Sequence, residues 1–189
     1  MSSIGYLGAG LLTSPDDGFF TWSGAPPCSL GVQCAQISDG FYARSSPTAS
    51  DKSSALTTDS LQWTQFDFSS IPTGSTINGI EAEDKVYASL NDPQQGYAAD
   101  KNLFLRYDGS SIGSNMISAS NWLTSPEVRT YGGPSIMWGT TLTRDQIASS
   151  TFGIFLQVSG NCTVYVEYFR IRVYFTIPTI FVSKVFYIG

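Results

Sequence analysis

The sequence predicts an all-β protein, an antiparallel β-sandwich carrying one short helix. Three observations predict it. Apolar and polar residues alternate in stretches of strand length, the period of a strand with one buried face. Clusters of Gly, Pro, Asn and Asp punctuate these stretches at short intervals. The 189 residues are 42% hydrophobic and 14% aromatic but 13% charged, which supplies a core for one undivided domain and leaves a neutral-polar surface.

Residues 1–36 hold turn signals, Ser14-Pro15-Asp16-Asp17-Gly18 and Gly24-Ala25-Pro26-Pro27, around Phe19, Phe20 and Trp22. They predict an irregular N-terminal arm with one short strand. Gly5, Gly8 and Gly10 make no phosphate cradle, because neither Lys-Ser/Thr nor a helix follows. The sandwich domain is expected over 37–176. Ile37–Arg44 is a short strand and 45–60 a Ser/Thr-rich loop. Leu61–Ser69 is a strand whose apolar parity switches between Trp63 and Phe66, the mark of a bulge. Ile71-Pro72-Thr73-Gly74 is a turn.

Thr76–Leu90 reads as a long strand, with Ile80, Ala82, Val86, Ala88 and Leu90 on one face and Glu81, Glu83, Lys85 and Tyr87 on the other. Asp84 falls on the apolar parity. Either a bulge or an edge position lets it reach water, or it is a buried carboxylate held by an Arg or a metal ion. A loop runs from Asn91 to Ala99, then a strand at Lys101–Tyr107 and a turn at Asp108-Gly109. Residues 118–135 carry almost no strand or helix signal, and a loop of that length is functional or packed down on the fold. Thr143-Arg144-Asp145-Gln146 is a capping box opening a helix to Ser149.

Residues 151–176 are the most apolar stretch and read as a hairpin turning at Ser159-Gly160-Asn161. Its second strand switches parity at Tyr168–Phe169, which implies a second bulge, and sets Arg170 and Arg172 on the face opposite Ile171 and Val173. The count is seven or eight strands. Residues 177–189 form an apolar C-terminal arm, in which Ile180, Phe181, Val182, Val185, Phe186 and Tyr187 are too many apolar groups to leave in water. They either pack as a last strand on their own domain or bind a partner subunit by strand addition.

The chain has no histidine, which removes Ser-His-Asp and Cys-His catalysis and His-ligated metal sites. No cofactor or metal is expected, and no enzymatic activity. A formal charge of −5 without a basic run gives no case for nucleic acid. No apolar run reaches the ~18 residues of a membrane helix, and the N-terminus lacks the basic n-region of a secretory signal. Cys28 and Cys34 are spaced to close a small loop, though the sequence leaves open whether they are bonded; Cys162 reads as a buried thiol. Asn161-Cys162-Thr163 matches a glycosylation sequon but reads as a turn. Glu81 and Glu83 share a strand face at a separation compatible with acid/base work, yet with Lys85 beside them they read as a solvated face. The Asp-Gly pairs at 17–18, 39–40 and 108–109 are turn residues rather than calcium ligands. Among the tryptophans, Trp63 and Trp138 belong to the core. Trp122, with Tyr131 in the same long loop, is the candidate for stacking on a ligand.

Several short motifs resemble a jelly-roll-like β-sandwich family of tailed-phage virion structural proteins. They are Trp22 with Asp39-Gly40-Phe41-Tyr42-Ala43, and Phe66-Asp67-Phe68-Ser69-Ser70-Ile71-Pro72 leading to Ile77-Asn78-Gly79-Ile80. Thr130-Tyr131-Gly132-Gly133, Trp138-Gly139, Phe152-Gly153-Ile154 and Tyr168–Tyr174 complete the set. It spans residues 20–176; Glu81–Asp84 depart from the apolar residues other members place there. The resemblance implies a virion structural or receptor-contacting role with no catalytic residues, and the expectation taken from it is a non-enzymatic virion protein, a capsid decoration or cement protein with the major capsid protein as partner. A dimer or trimer is expected, with the apolar tail or the N-terminal arm gripping neighbours. The alternative is a tail-fibre, baseplate or free carbohydrate-binding module that recognises host glycans.

Overall fold

A computed structural model describes residues 1–18, 20–47, 56–89 and 96–179. The N-terminal segment contributes β1 (Ser2–Gly8), β2 (Leu11–Thr13) and β3 (Trp22–Gly24), then a 3-10 turn at Gly31–Ala35. β4 (Ala43–Ser45), β5 (Leu56–Thr57) and β6 (Leu61–Thr64) are short, while β7 (Thr76–Ser89) and β8 (Ala98–Tyr107) are long. After β9 (Ser110–Ile112) and β10 (Glu127–Gly132) come helix α1 (Arg144–Ile147), β11 (Gly153–Gly160) and β12 (Thr163–Thr176). Two six-stranded antiparallel sheets result. The first runs β10-β7-β12-β4-β3 with β1 also on β12, and the second runs β2-β6-β11-β8-β9 with β5 also on β11.

The all-β sandwich is as expected, but four of its parts are not. The expected hairpin is the first: β11 and β12 do not pair, because β11 lies in the second sheet and β12 in the first. Asn161 and Cys162 carry the chain between the layers. Each strand is flanked within its own sheet, β11 by β6 and β8 and β12 by β7 and β4. Backbone groups are therefore satisfied in the layers while the apolar faces meet between them. The bulge falls at Glu167, where the register steps from Val166 opposite Val86 to Tyr168 opposite Lys85. That extra residue turns Val164 and Val166 and then Phe169, Ile171 and Val173 to the same buried side.

Second, residues 1–36 are no irregular arm: β1 pairs with β12, β2 with β6 and β3 with β4. Third, the segments read as Ile37–Arg44 and Leu61–Ser69 yield the shorter β4 and β6; β6 ends where Gln65 takes a φ of +59°. Fourth, β10 lies inside the presumed loop 118–135 and pairs with β7. Its exposed Val128 and buried Arg129 reverse the usual alternation, which hid it. The capping box is present, with the Thr143 hydroxyl accepting from the Gln146 N–H. Cys28 and Cys34 are disulfide-bonded and Cys162 is a buried free thiol.

The two inner faces close on Trp63, Phe68, Trp138, Phe152 and Phe169, all fully buried. Trp63 of one sheet meets Phe169 of the other with ring centroids 4.9 Å apart. Each such ring contributes about 1.5–3 kcal/mol on burial. No helix among the described residues is long and apolar enough to cross a membrane.

Candidate functional site

The loop residues singled out for ligand stacking are corrected by their burial. Trp122 is 5% exposed, and its indole N–H donates to Asp100 Oδ1 at 2.7 Å. Tyr131 is also 5% exposed, its hydroxyl 3.2 Å from Asp84 and 3.1 Å from Asp100. Both rings are core groups, because β10 draws the segment down onto β7. They serve a buried polar cluster in which Asp84 stands opposite Arg129 in the β7–β10 register. The Arg129 guanidinium reaches Asp100 on the other sheet at 3.1 Å and the Ser120 carbonyl at 2.7 Å.

Asp84 therefore neither bulges nor reaches water; β7 is a central strand and the carboxyl is fully buried. It is buried as the second reading expected, but Arg129, opposite it in register, makes its ion pairs with Asp100 and Glu127; Asp84 accepts from the Tyr131 hydroxyl, and its Oδ1 has no hydrogen-bond partner among the described residues. No group of three or more metal-ligating side chains occurs among the described residues. Burial, then the Asp100 charge, holds Asp84 well above the ordinary carboxylate range, with Arg129 opposing. The apolar-arm residues Ile180, Phe181, Val182, Val185, Phe186 and Tyr187 lie outside the described residues.

Glu81 and Glu83 do share the outward face of the first sheet, and neither is free. Glu83 takes Arg170 at 2.6 Å and the Tyr168 hydroxyl at 2.9 Å. Glu81 accepts from Tyr6 at 2.6 Å and faces Arg172 at 3.6 Å. Arg172 in turn lies 4.2 Å over the Tyr6 ring. This is a ladder of ion pairs capped by tyrosines, which fixes the face; it leaves no carboxyl poised over open space.

The same face changes character toward its other end. Beyond the ladder, Glu167 is nearly buried at the bulge and pairs with Lys85 at 2.6 Å. It also accepts the Gly40 N–H at 3.0 Å. Burial pushes its carboxyl up, but Lys85, Gly40 and Tyr42 outweigh that and hold it below the ordinary range. Next comes an aromatic rung. Tyr165 of β12 stands opposite Tyr87 of β7, their rings parallel within 2° and 4.3 Å apart. Tyr42, just before β4, meets Tyr87 edge-on at 5.1 Å. All three are half-buried. A pocket of about 190 Å³ opens here, lined by Pro26, Pro27, Phe41, Tyr42, Arg44 and Tyr165 among others. A second of about 210 Å³ lies on the ladder side, with Tyr6, Ile37, Ser38 and Arg170 in its wall.

Partly exposed tyrosines combine an apolar ring with a polar tip, and charged groups held by ion pairs offer fixed donors and acceptors. Together they suit a ligand with apolar faces and a polar periphery. Tyr42, Tyr87 and Tyr165 escaped notice in the sequence, although the placement of Tyr87 beside Lys85, Glu83 and Glu81 was legible there. The pairing of Tyr87 with Tyr165 depends on long-range register.

No family model matches the chain, and no curated protein does. Among solved structures the chain is similar to the CBM22-1 xylan-binding domain from Paenibacillus barcinonensis Xyn10C. The identity is 7% and the TM-score 0.43, over 86% of this chain and 85% of that one. It is also similar to the family 11 carbohydrate-binding module of the cellulosomal cellulase Lic26A-Cel5E of Clostridium thermocellum. There the identity is 11% and the TM-score 0.41, over 93% of this chain and 92% of that one. A third structure, solved with a xylogluco-oligosaccharide, matches at 13% identity and a TM-score of 0.41, over 88% of this chain but 38% of its own. No residue role passes from these likenesses to this chain.

Proposed function

We propose that the protein is a non-catalytic carbohydrate-binding domain whose ligand lies across the outward face of the first sheet. The observation that carries this is the Tyr87–Tyr165 pair, parallel at 4.3 Å beside an open pocket. Rings left partly in water on a strand surface contribute little to the core. They offer flat apolar surface to the C–H side of a sugar, with hydroxyls and neighbouring charges for its rim. The ligand positions follow the rung from Tyr87 to Tyr165 and Arg44. Acid/base catalysis is not part of this reading, since Glu81 and Glu83 are engaged by Arg172 and Arg170. The shell-decorating role rests on the resemblance over residues 20–176 alone, since its contact residues in the apolar arm, Ile180 to Tyr187, lie outside the described residues.

Retention of the full chain on immobilised polysaccharides tests the proposal. The wild type is expected to be retarded and Tyr165→Ala to run freely while keeping its circular dichroism. Free passage of the wild type through every polysaccharide matrix would overturn it.

A further inference from the structure

Among the described residues, cations and carboxylates on the outward face of the first sheet are matched one for one, with a single remainder. Lys85 pairs with Glu167, Arg170 with Glu83 and Arg172 with Glu81. Arg44 is left over: it is exposed, lines the pocket, and has no carboxylate or hydrogen-bond partner among the described residues. Its place is fixed by register. On β12, Tyr165 stands opposite Tyr87 on one side and opposite Arg44 of β4 on the other. On β4, Ala43 and Ser45 are buried and Arg44 alternates outward. Tyr87, Tyr165 and Arg44 therefore form one rung across three adjacent strands, on the same side of the sheet.

We infer that the ligand is an acidic saccharide whose carboxylate or sulfate is received by Arg44 while its sugar ring rests against the tyrosines. This rests on reading the face as a saccharide site and names the class of sugar. A guanidinium presents its donors in a planar fork that matches a carboxylate or sulfate with two parallel hydrogen bonds, and charge-assisted bonds of this kind are about twice as strong as neutral ones. Neighbouring strands lie ~4.8 Å apart, so a ring seated at Tyr165 brings a substituent on its edge within reach of the next strand. The overall charge of −5 offers an anion no general attraction, which leaves recognition on this face to the cation that its carboxylates leave unmatched. The carboxylates of the face are already paired and do not compete for it.

Isothermal titration of the full chain with matched oligosaccharides tests this. Oligogalacturonate, glucuronate-bearing and sulfated oligosaccharides are compared with neutral xylo- and cello-oligosaccharides and with the methyl esters of the uronates. At least one acidic ligand is expected to bind about tenfold more tightly than its ester or its neutral counterpart. Arg44→Gln should erase that difference, Arg44→Lys should keep part of it, and added salt should weaken it. A uronate ligand and a sulfated one are separated by which of them the wild type prefers. Equal binding of neutral and acidic forms, or acidic binding untouched in Arg44→Gln, overturns the inference and leaves the saccharide site standing. Binding of no saccharide by the wild type overturns both.

Discussion

The two sheets bury similar inner faces and differ on their outer ones. The first sheet presents Glu81, Glu83, Lys85, Arg170 and Arg172 in a paired ladder, then Tyr87, Tyr165 and Arg44. The second presents a quieter surface. Asn102 donates to Gln157 at 2.8 Å, and Phe104 and Phe155 lie 6.5 Å apart with Arg106 over the latter ring. A sandwich needs no organised charge on its outside, and the three ion pairs and tyrosine stack on the first sheet are why the proposed site is set on that face. The half-buried phenylalanine pair of the second sheet shows that aromatic content alone does not set such a face apart; the arrangement of polar groups around the rings does.

The largest expected effect lies in the layer both faces share. Arg129→Met should strand Asp100 without its cation and destabilise the protein by about 3–5 kcal/mol in urea unfolding. A much smaller loss would mean that the buried cluster does not join the sheets. Next, Tyr87→Ala or Tyr165→Ala should weaken saccharide binding about tenfold or more, with roughly 1 kcal/mol of stability lost. Phe155→Ala on the opposite face should leave binding unchanged; if it abolishes binding instead, the functional face has been assigned to the wrong sheet.

A pH series sharpens the contrast between inner and outer carboxylates. Asp84 has its folded pKa raised, chiefly by burial. The folded state then holds the proton more tightly than the unfolded chain. Its contribution is present in full below about pH 4 and lost as pH rises through the raised value. Asp84→Asn should therefore gain stability relative to wild type toward alkaline pH. Glu167, on the outer face, has the opposite sign: its contribution is present above the ordinary carboxylate range and lost as pH falls through the depressed value. Glu167→Gln should lose least, relative to wild type, in acid. The smallest effect is expected from the ladder, where Arg172→Met should cost about 0–1 kcal/mol, because the Arg172–Glu81 pair is partly exposed at 3.6 Å.

Much of the fold was legible in the chain. The alternation of Thr76–Leu90 placed Glu81, Glu83, Lys85 and Tyr87 on one face correctly, and the capping box placed α1. Trp63 and Trp138 were recognisable as core. Local patterning reached these because strand parity and helix capping depend on neighbours a few residues away. It missed β10, whose inward residues are Arg129 and Tyr131, since a polar residue facing the core is indistinguishable in sequence from one facing water. For the same reason Trp122 looked like a surface ring.

The sequence by itself determined that this protein is a sandwich, that histidine chemistry is closed to it, and which side of each long strand is apolar. The tertiary structure alone decided which strands are neighbours. A short turn between two apolar strands serves a hairpin and a sheet-to-sheet crossing equally well, and only packing against the remaining strands selects one. That selection brought Tyr87 beside Tyr165 on one side, Arg44 beside Tyr165 on the other, and Asp100 to Arg129. Each is a contact between residues distant in the chain, fixed by register and burial rather than by local propensity.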